Sequence, residues 1–204
     1  GVATWHGRGN VRVATLMPVY REATHDPAKV REIERQGRLV REAGAKRGAW
    51  FHQDGHRQGS IEMADRMFGL IGADSWHSHC TDLTDADIDT LVRKGASVVH
   101  NPSAIAAVRG FCPAPRMMEA GVTVMIGSDA TAPDRSGDMF RHMFQCIRYH
   151  QRAFRDETMI PPGKALEMVT IDAAKGLGLG DSLGSLEVGK LADVITVDLT
   201  APHM

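Results

Sequence analysis

The 204-residue sequence predicts an α/β fold, a parallel sheet forming part of a TIM-type (β/α)8 barrel whose first strands are missing. Three observations carry that expectation. Strand-like and helix-like segments alternate at intervals of roughly 20–35 residues, the rhythm of βαβ units. Four polar residues, His52, His79, His100 and Asp129, each close a different strand-like run. Barrels gather chemistry from several strand ends at one mouth, whereas an open doubly wound sheet concentrates it at a switch point, usually beside a Gly-rich phosphate loop. The sequence has no GxGxxG or P-loop. Only five strands precede the final one, while a complete barrel needs eight strands and about 250 residues.

The elements follow in order. Residues 10–20 form an apolar, β-branched run ending near a proline, which reads as a buried strand. Asp26-Pro27 supplies an N-cap and an N1 proline for a helix carrying Val30, Ile33, Leu39, Val40 and Ala43 and ending at Gly44 or Gly48. A strand at 49–52 leads into the polar turn Gln53-Asp54-Gly55-His56, then a helix over 59–70. A strand at 74–80 precedes a helix capped by Thr84 and closed by Gly95. Ser97 to His100 is a strand, Pro113 to Ala120 a short helix, and Val122 to Ile126 a strand running into Gly127-Ser128-Asp129. Helices are expected over 137–154 and 163–175, and a last strand over 191–199.

Composition bounds the function. With 43% hydrophobic and 24% charged residues, the chain reads as a soluble globular protein. A net charge of -1 gives no reason to expect nucleic acid or an anionic membrane as partner. No apolar run approaches the ~20 residues that span a bilayer. Cys80, Cys112 and Cys146 are too scattered for a disulfide framework or a CxxC zinc site, so a reducing, cytoplasmic setting is expected. Ten histidines are many for this length and are the first functional hint. Gly1 in place of an initiator Met, and a C-terminus directly after a strand, lead us to expect a fragment.

Neutral imidazole at a strand end is a good zinc or iron ligand, which makes His52 a candidate; taken alone, it reads sooner as a satisfied core or loop histidine. In His77-Ser78-His79, strand alternation puts both rings on one face. His79, nearer the end, is the better candidate for chemistry, and His77 reads as a structural neighbour. Asp129 follows an apolar run and must be exposed at a mouth or paired. As a metal-bound or base carboxylate it competes with a helix-capping role. His100-Asn101 suits substrate positioning. His56 has a weaker case, and His142 and His150 are expected to be partly exposed on a helix. Met117, Met118, Met139 and Met143 read as core.

Taken in order, His52, His79-Cys80 with Leu83-Thr84, His100-Asn101-Pro102 and Gly127-Ser128-Asp129 resemble the amidohydrolase superfamily. Within it they resemble the branch of metal-dependent deaminases and chlorohydrolases, which includes the cytosine, guanine and S-adenosylhomocysteine deaminases and the triazine hydrolases. Ile171 to Gly178 and Gly184 to Val194 match the family's exit from the barrel into a small β-sandwich. The resemblance implies that the chain holds about strands 4–8 of the barrel in residues 1–178 and the beginning of the β-sandwich in 179–204. It implies that His52 is the fifth-strand metal ligand and that His79 contacts the metal, its water and the substrate. Asp129 would bind the metal and take the water's proton, and His100 and Asn101 would line the substrate pocket. One divalent metal, zinc or else iron, and a homo-oligomer in the complete protein are implied as well.

Two departures accompany the resemblance. The family's HxH pair on the first barrel strand is absent, and His77-Ser78-His79 lies too close to Asp129 to be that pair. Deaminases of this branch also carry Glu three residues after the fifth-strand His, where this chain has Gly55; Asp54 or His56 could substitute. Tyr20, Arg21 and Thr131 are further candidates for reading the substrate. The expected activity is hydrolytic deamination of a nitrogen heterocycle by a metal-activated water. The alternatives are a related hydrolase releasing chloride or an alkylamine or cleaving an amide, and a catalytically dead barrel serving as an interaction module.

Overall fold

The computed structural model describes residues 1–20, 25–104, 109–129 and 136–200. A short helix α1 (Val2–Trp5) precedes β1 (Ala14–Leu16), α2 (Pro27–Ala45), β2 (Trp50–Gln53), α3 (Ser60–Phe68), β3 (Ser75–Ser78), α4 (Asp85–Lys94) and β4 (Ser97–His100). Then come α5 (Ala114–Glu119), β5 (Val124–Ile126), α6 (Met139–Phe154), α7 (Pro162–Val169) and α8 (Ile171–Gly176).

Local chemistry sets the boundaries. The Asp26 carboxylate accepts from the Ala28 and Lys29 amides at the start of α2, and Pro27 occupies the first turn, where its missing N–H costs nothing. Thr84 and Asp87 form a reciprocal capping box at α4. The single helix expected over 163–175 is broken at Thr170, whose φ of -122° and ψ of -97° separate α7 from α8.

All five strands are parallel and lie in the order β1-β2-β3-β4-β5. An open doubly wound sheet reverses strand order at its switch point. Here the order never reverses, so right-handed crossovers put the helices that connect the strands on one face, as in the arc of a barrel. The expected barrel architecture is what the structure shows. On the helix-facing side Phe51, Val98 and Val124 pack with Ile61, Leu70, Leu91, Met117 and Met168 into a continuous core. The opposite face carries Leu16, His52 and Trp76 in register across three strands. Leu16 on that face is 62% exposed.

The expected strand over 191–199 is not formed. That segment has no ladder partner among the described residues, and Leu191, Ile195 and Leu199 are exposed. Alternating β-branched residues signal a willingness to pair, but a strand exists only where an edge accepts it.

Candidate active site at the strand ends

The C-terminal ends of β2, β3 and β5 bring four expected residues together. His52 is the third residue of β2 and points to the open face. Its ring stacks on Trp76, with centroids 3.8 Å apart, and Nδ1 lies 3.0 Å from the Trp76 carbonyl oxygen. A carbonyl can only accept, so Nδ1 carries the hydrogen and Nε2 keeps its lone pair, the tautomer a metal ligand needs. Burial pushes the His52 pKa down, which favours the neutral ring.

His79 follows β3 in a left-handed conformation, with φ of 70°, and Asp129 follows β5 with φ of 62°. Non-glycine residues rarely adopt this region, and such strain collects at functional sites. The turns aim both side chains at one another. His79 Nε2 lies 3.0 Å from Asp54 Oδ1 and 3.5 Å from Asp129 Oδ2. Carboxylates only accept, so Nε2 carries a hydrogen shared between them. Asn101 Nδ2 donates to His79 Nδ1 across 3.4 Å. The His79 ring is 1% exposed and Asp129 27%, whereas Asp54 is 60% exposed at the rim. The hydrogen bond from His79 holds the Asp54 carboxyl below its ordinary pKa, and a bond from Ser78 adds to this.

Gly127 permits this approach. A Cβ there would collide with Asn101 Oδ1 and would lie 2.7 Å from Val99 Cγ1. Gly55 sits at φ of 91°, a conformation a glutamate side chain at that position would find strained. The loop is thus built around glycine at this position.

Other expected residues are placed differently. His56 is fully buried with Nδ1 2.8 Å from Ser60 Oγ and Nε2 3.3 Å from Gln53 Oε1, so it does not face the open side. His77 is a structural neighbour, as expected, 2.9 Å from Ser75 Oγ and packed edge-on against His56. His100 alternates with Val99 and turns to the helix layer, where its Nε2 lies 3.3 Å from His150 Nε2 on α6. Of the expected pair, only Asn101 lies beside His79. Tyr20 packs its ring on Phe68 of α3. Arg21 and Thr131 lie outside the described residues.

His142 and His150 were expected to be partly exposed and are instead fully buried. With Cys146 they form the i, i+4, i+8 stripe of α6 that faces the sheet. His142 Nδ1 pairs with Ser103 Oγ at 2.9 Å and Nε2 with the Ser136 carbonyl at 2.8 Å. Residues the sequence reasoning missed are Trp76 and Ser78, which orient His52 and Asp54. Their signal was the pairing register between β2 and β3, which alternation within one strand does not reveal.

Residues 21–204 match the Amidohydrolase family. The chain belongs to the amidohydrolase family. It is 32% identical to a 5-methylthioadenosine/S-adenosylhomocysteine deaminase of Desulforudis audaxviator, over 100% of this chain and 49% of that protein. It is 31% identical to a 5'-deoxyadenosine deaminase of Methanosarcina mazei, over 100% of this chain and 48% of that protein. This amidohydrolase chain therefore spans about half the length of the curated relatives it matches end to end. Among solved structures it resembles a zinc-bound adenosine deaminase from Xanthomonas campestris, with a TM-score of 0.74 and 26% identity over 93% of this chain and 53% of that one. It shares its fold with E. coli guanine deaminase at a TM-score of 0.76 and 19% identity, over 94% of this chain and 45% of that one.

Proposed function

We propose that this chain carries the proton-transfer half of a metal-dependent hydrolase that deaminates an adenosine-type nitrogen heterocycle. The observation that carries the reading is His79 Nε2 held between the carboxylates of Asp54 and Asp129 at a strand-end mouth. The relatives named as adenosine-type deaminases support the substrate class.

Two of the expected donors suit a borderline divalent cation, zinc or else iron: His52 presents a lone pair at Nε2 and Asp129 an anionic oxygen, whereas the hydrogen on His79 Nε2 faces the carboxylates and suits that ring to contacting the water and substrate instead of the ion. Such an ion would supply a water whose pKa falls from 15.7 to about 7. The residues do the rest. Asp129 Oδ2 accepts the proton of the attacking water and returns it to the departing amine. The His79 Nε2–H donates toward the developing oxyanion at the attacked carbon. Asp54, at the rim and held as the carboxylate, takes the second proton of the attacking water and passes it to the ring nitrogen, the role for which Gly55 offers no side chain. Asn101 keeps the His79 ring in its plane.

The test is ammonia release from 5-methylthioadenosine, S-adenosylhomocysteine and 5'-deoxyadenosine by the protein that contains this chain. Asp129→Asn is expected to lower kcat by about 10²–10⁴-fold with unchanged folding; near-normal turnover in that variant refutes the assignment. Gly55 favours a second reading, a hydrolase whose leaving group needs no ring protonation. Chloride released from a chlorinated heterocycle, with no ammonia from the nucleosides, would select it.

No described helix is long and apolar enough to cross a membrane, and the free Cys80, Cys112 and Cys146 support a reducing, cytoplasmic setting. The same reading places residues 1–178 in the barrel and 179–204 at the start of a β-sandwich. Exposed Leu186, Val188 and Ile195 in the latter support burial against further chain or another copy in a homo-oligomer.

A further inference from the structure

Behind the sheet, on the side away from the strand-end mouth, lies a second group of ligand-type side chains. His100 ends β4, and Cys146 and His150 stand one turn apart on α6. All three are fully buried, and one ligand atom from each lies within 4.8 Å of the other two. Among the described residues this is the only set of three that comes so close, and His52, His79 and Asp129 do not.

We propose that His100, Cys146 and His150 form a structural metal site for a thiophilic divalent cation of the zinc class, pinning α6 to β4. The argument begins with the two imidazoles. Their Nε2 atoms face each other at 3.3 Å, and two lone pairs cannot face each other at that distance without a positive centre between them. That centre is either a hydrogen or a cation. Two Zn–N bonds of about 2.0–2.1 Å at a tetrahedral angle place their nitrogens about 3.3–3.4 Å apart. The observed separation already matches, and it is longer than the usual 2.7–3.2 Å range of an N–H hydrogen bond to oxygen.

The tautomers are compatible with a metal. Neither His100 Nδ1 nor His150 Nδ1 has a hydrogen-bond partner among the described residues, so both rings can carry their hydrogen there and present Nε2 together. Burial keeps both rings neutral, with His150 pushed down to about 4, which is the ligating form. The third corner is sulfur. Burial pushes the Cys146 thiol up to about 12, so it is inert without a metal; on binding, Sγ releases its proton to solvent and bonds the cation as thiolate. The product is one divalent ion, one thiolate and two neutral imidazoles. The fourth position of this three-ligand set takes water or a small anion.

The link has a structural consequence. His100 precedes Asn101, which holds the His79 ring. A metal bridge to α6 would fix the strand end that supports the catalytic histidine.

The test is cobalt(II) titration of chelator-treated protein. The candidate active site offers no sulfur, so a thiolate-to-cobalt charge-transfer band in the near ultraviolet reports on this cluster. The expected result is one such band that saturates with added cobalt and is displaced by zinc. It should be absent in Cys146→Ser and retained in Cys80→Ser, Cys112→Ser and His52→Ala. Should Cys146→Ser fail to fold, His150→Gln is the second variant, expected to weaken cobalt binding by at least about tenfold. No thiolate band in the parent protein, a band surviving in Cys146→Ser, or unchanged cobalt affinity in His150→Gln would each overturn the proposal. None of these readouts depends on catalytic turnover.

Discussion

Removing the Asp87 carboxylate should be among the most damaging single changes in this protein. Asp87 lies in the first turn of α4, is fully buried, and accepts from two helices at once. Its Oδ2 takes the Gly59 amide at 2.7 Å and the Thr84 amide at 3.0 Å, and its Oδ1 takes the Ile61 and Glu62 amides, each at 3.0 Å. The Thr84 hydroxyl donates to Oδ2 at 2.8 Å. Asp87 therefore caps α3 from a neighbouring helix while closing the capping box of α4. Asp87→Ala leaves four backbone N–H groups without an acceptor. Orphaned buried donors cost about 1–3 kcal/mol each, and the lower end applies because several are only partly buried, giving about 4 kcal/mol. Asp87→Asn keeps one acceptor oxygen but turns an amide NH2 toward two N–H donors, so about 2–3 kcal/mol is expected. Urea unfolding followed by far-ultraviolet circular dichroism would measure both, as a lowered midpoint at constant m. A loss below about 1 kcal/mol for Asp87→Ala would refute the reasoning, since water would then be satisfying these donors.

Three further outcomes are expected. Asp54→Asn should lower kcat by at least about 10²-fold with a smaller change in KM, measured by ammonia release at saturating and limiting nucleoside; an unchanged kcat removes Asp54 from proton transfer. Gly127→Ala should cost about 1–3 kcal/mol by urea unfolding, because the new Cβ meets Val99 Cγ1 at 2.7 Å and displaces Asn101 from His79. Burial holds the His77 pKa well below the ordinary value of 6.5. The unfolded chain therefore binds a proton that the folded chain refuses, and stability present above pH 6.5 should fall as pH drops below it toward the folded pKa. His77→Gln should flatten the stability–pH slope in that window by up to one proton, about 1.4 kcal/mol per pH unit; an unchanged slope would show that His77 does not contribute.

Much of the fold is local and therefore legible. Thr84 with Asp87, Asp26 with Pro27, and the apolar run before Gly127 each act within a few residues, and each marks an element boundary close to where the structure has it. Strand-end placement of His52, His79 and Asp129 followed from the same local pattern. The last expected strand, over 191–199, failed for the opposite reason: its propensity is local but its partner is not.

The sequence by itself determined the periodicity, the caps and the order of polar residues at successive strand ends, because these depend on bonds and neighbours a few positions apart. Only the tertiary structure decided which way each side chain faces. Alternation says that His100 and Val99 point to opposite sides, but which side holds the helices depends on the handed crossovers and the unreversed order of all five strands. That decision turned His100 away from the mouth and left Asn101 beside His79. Likewise His142 is buried because Ser103, 39 residues away, supplies its partner. A histidine on a helix can be buried only where its polar atoms are satisfied, and the satisfying group comes from distant chain.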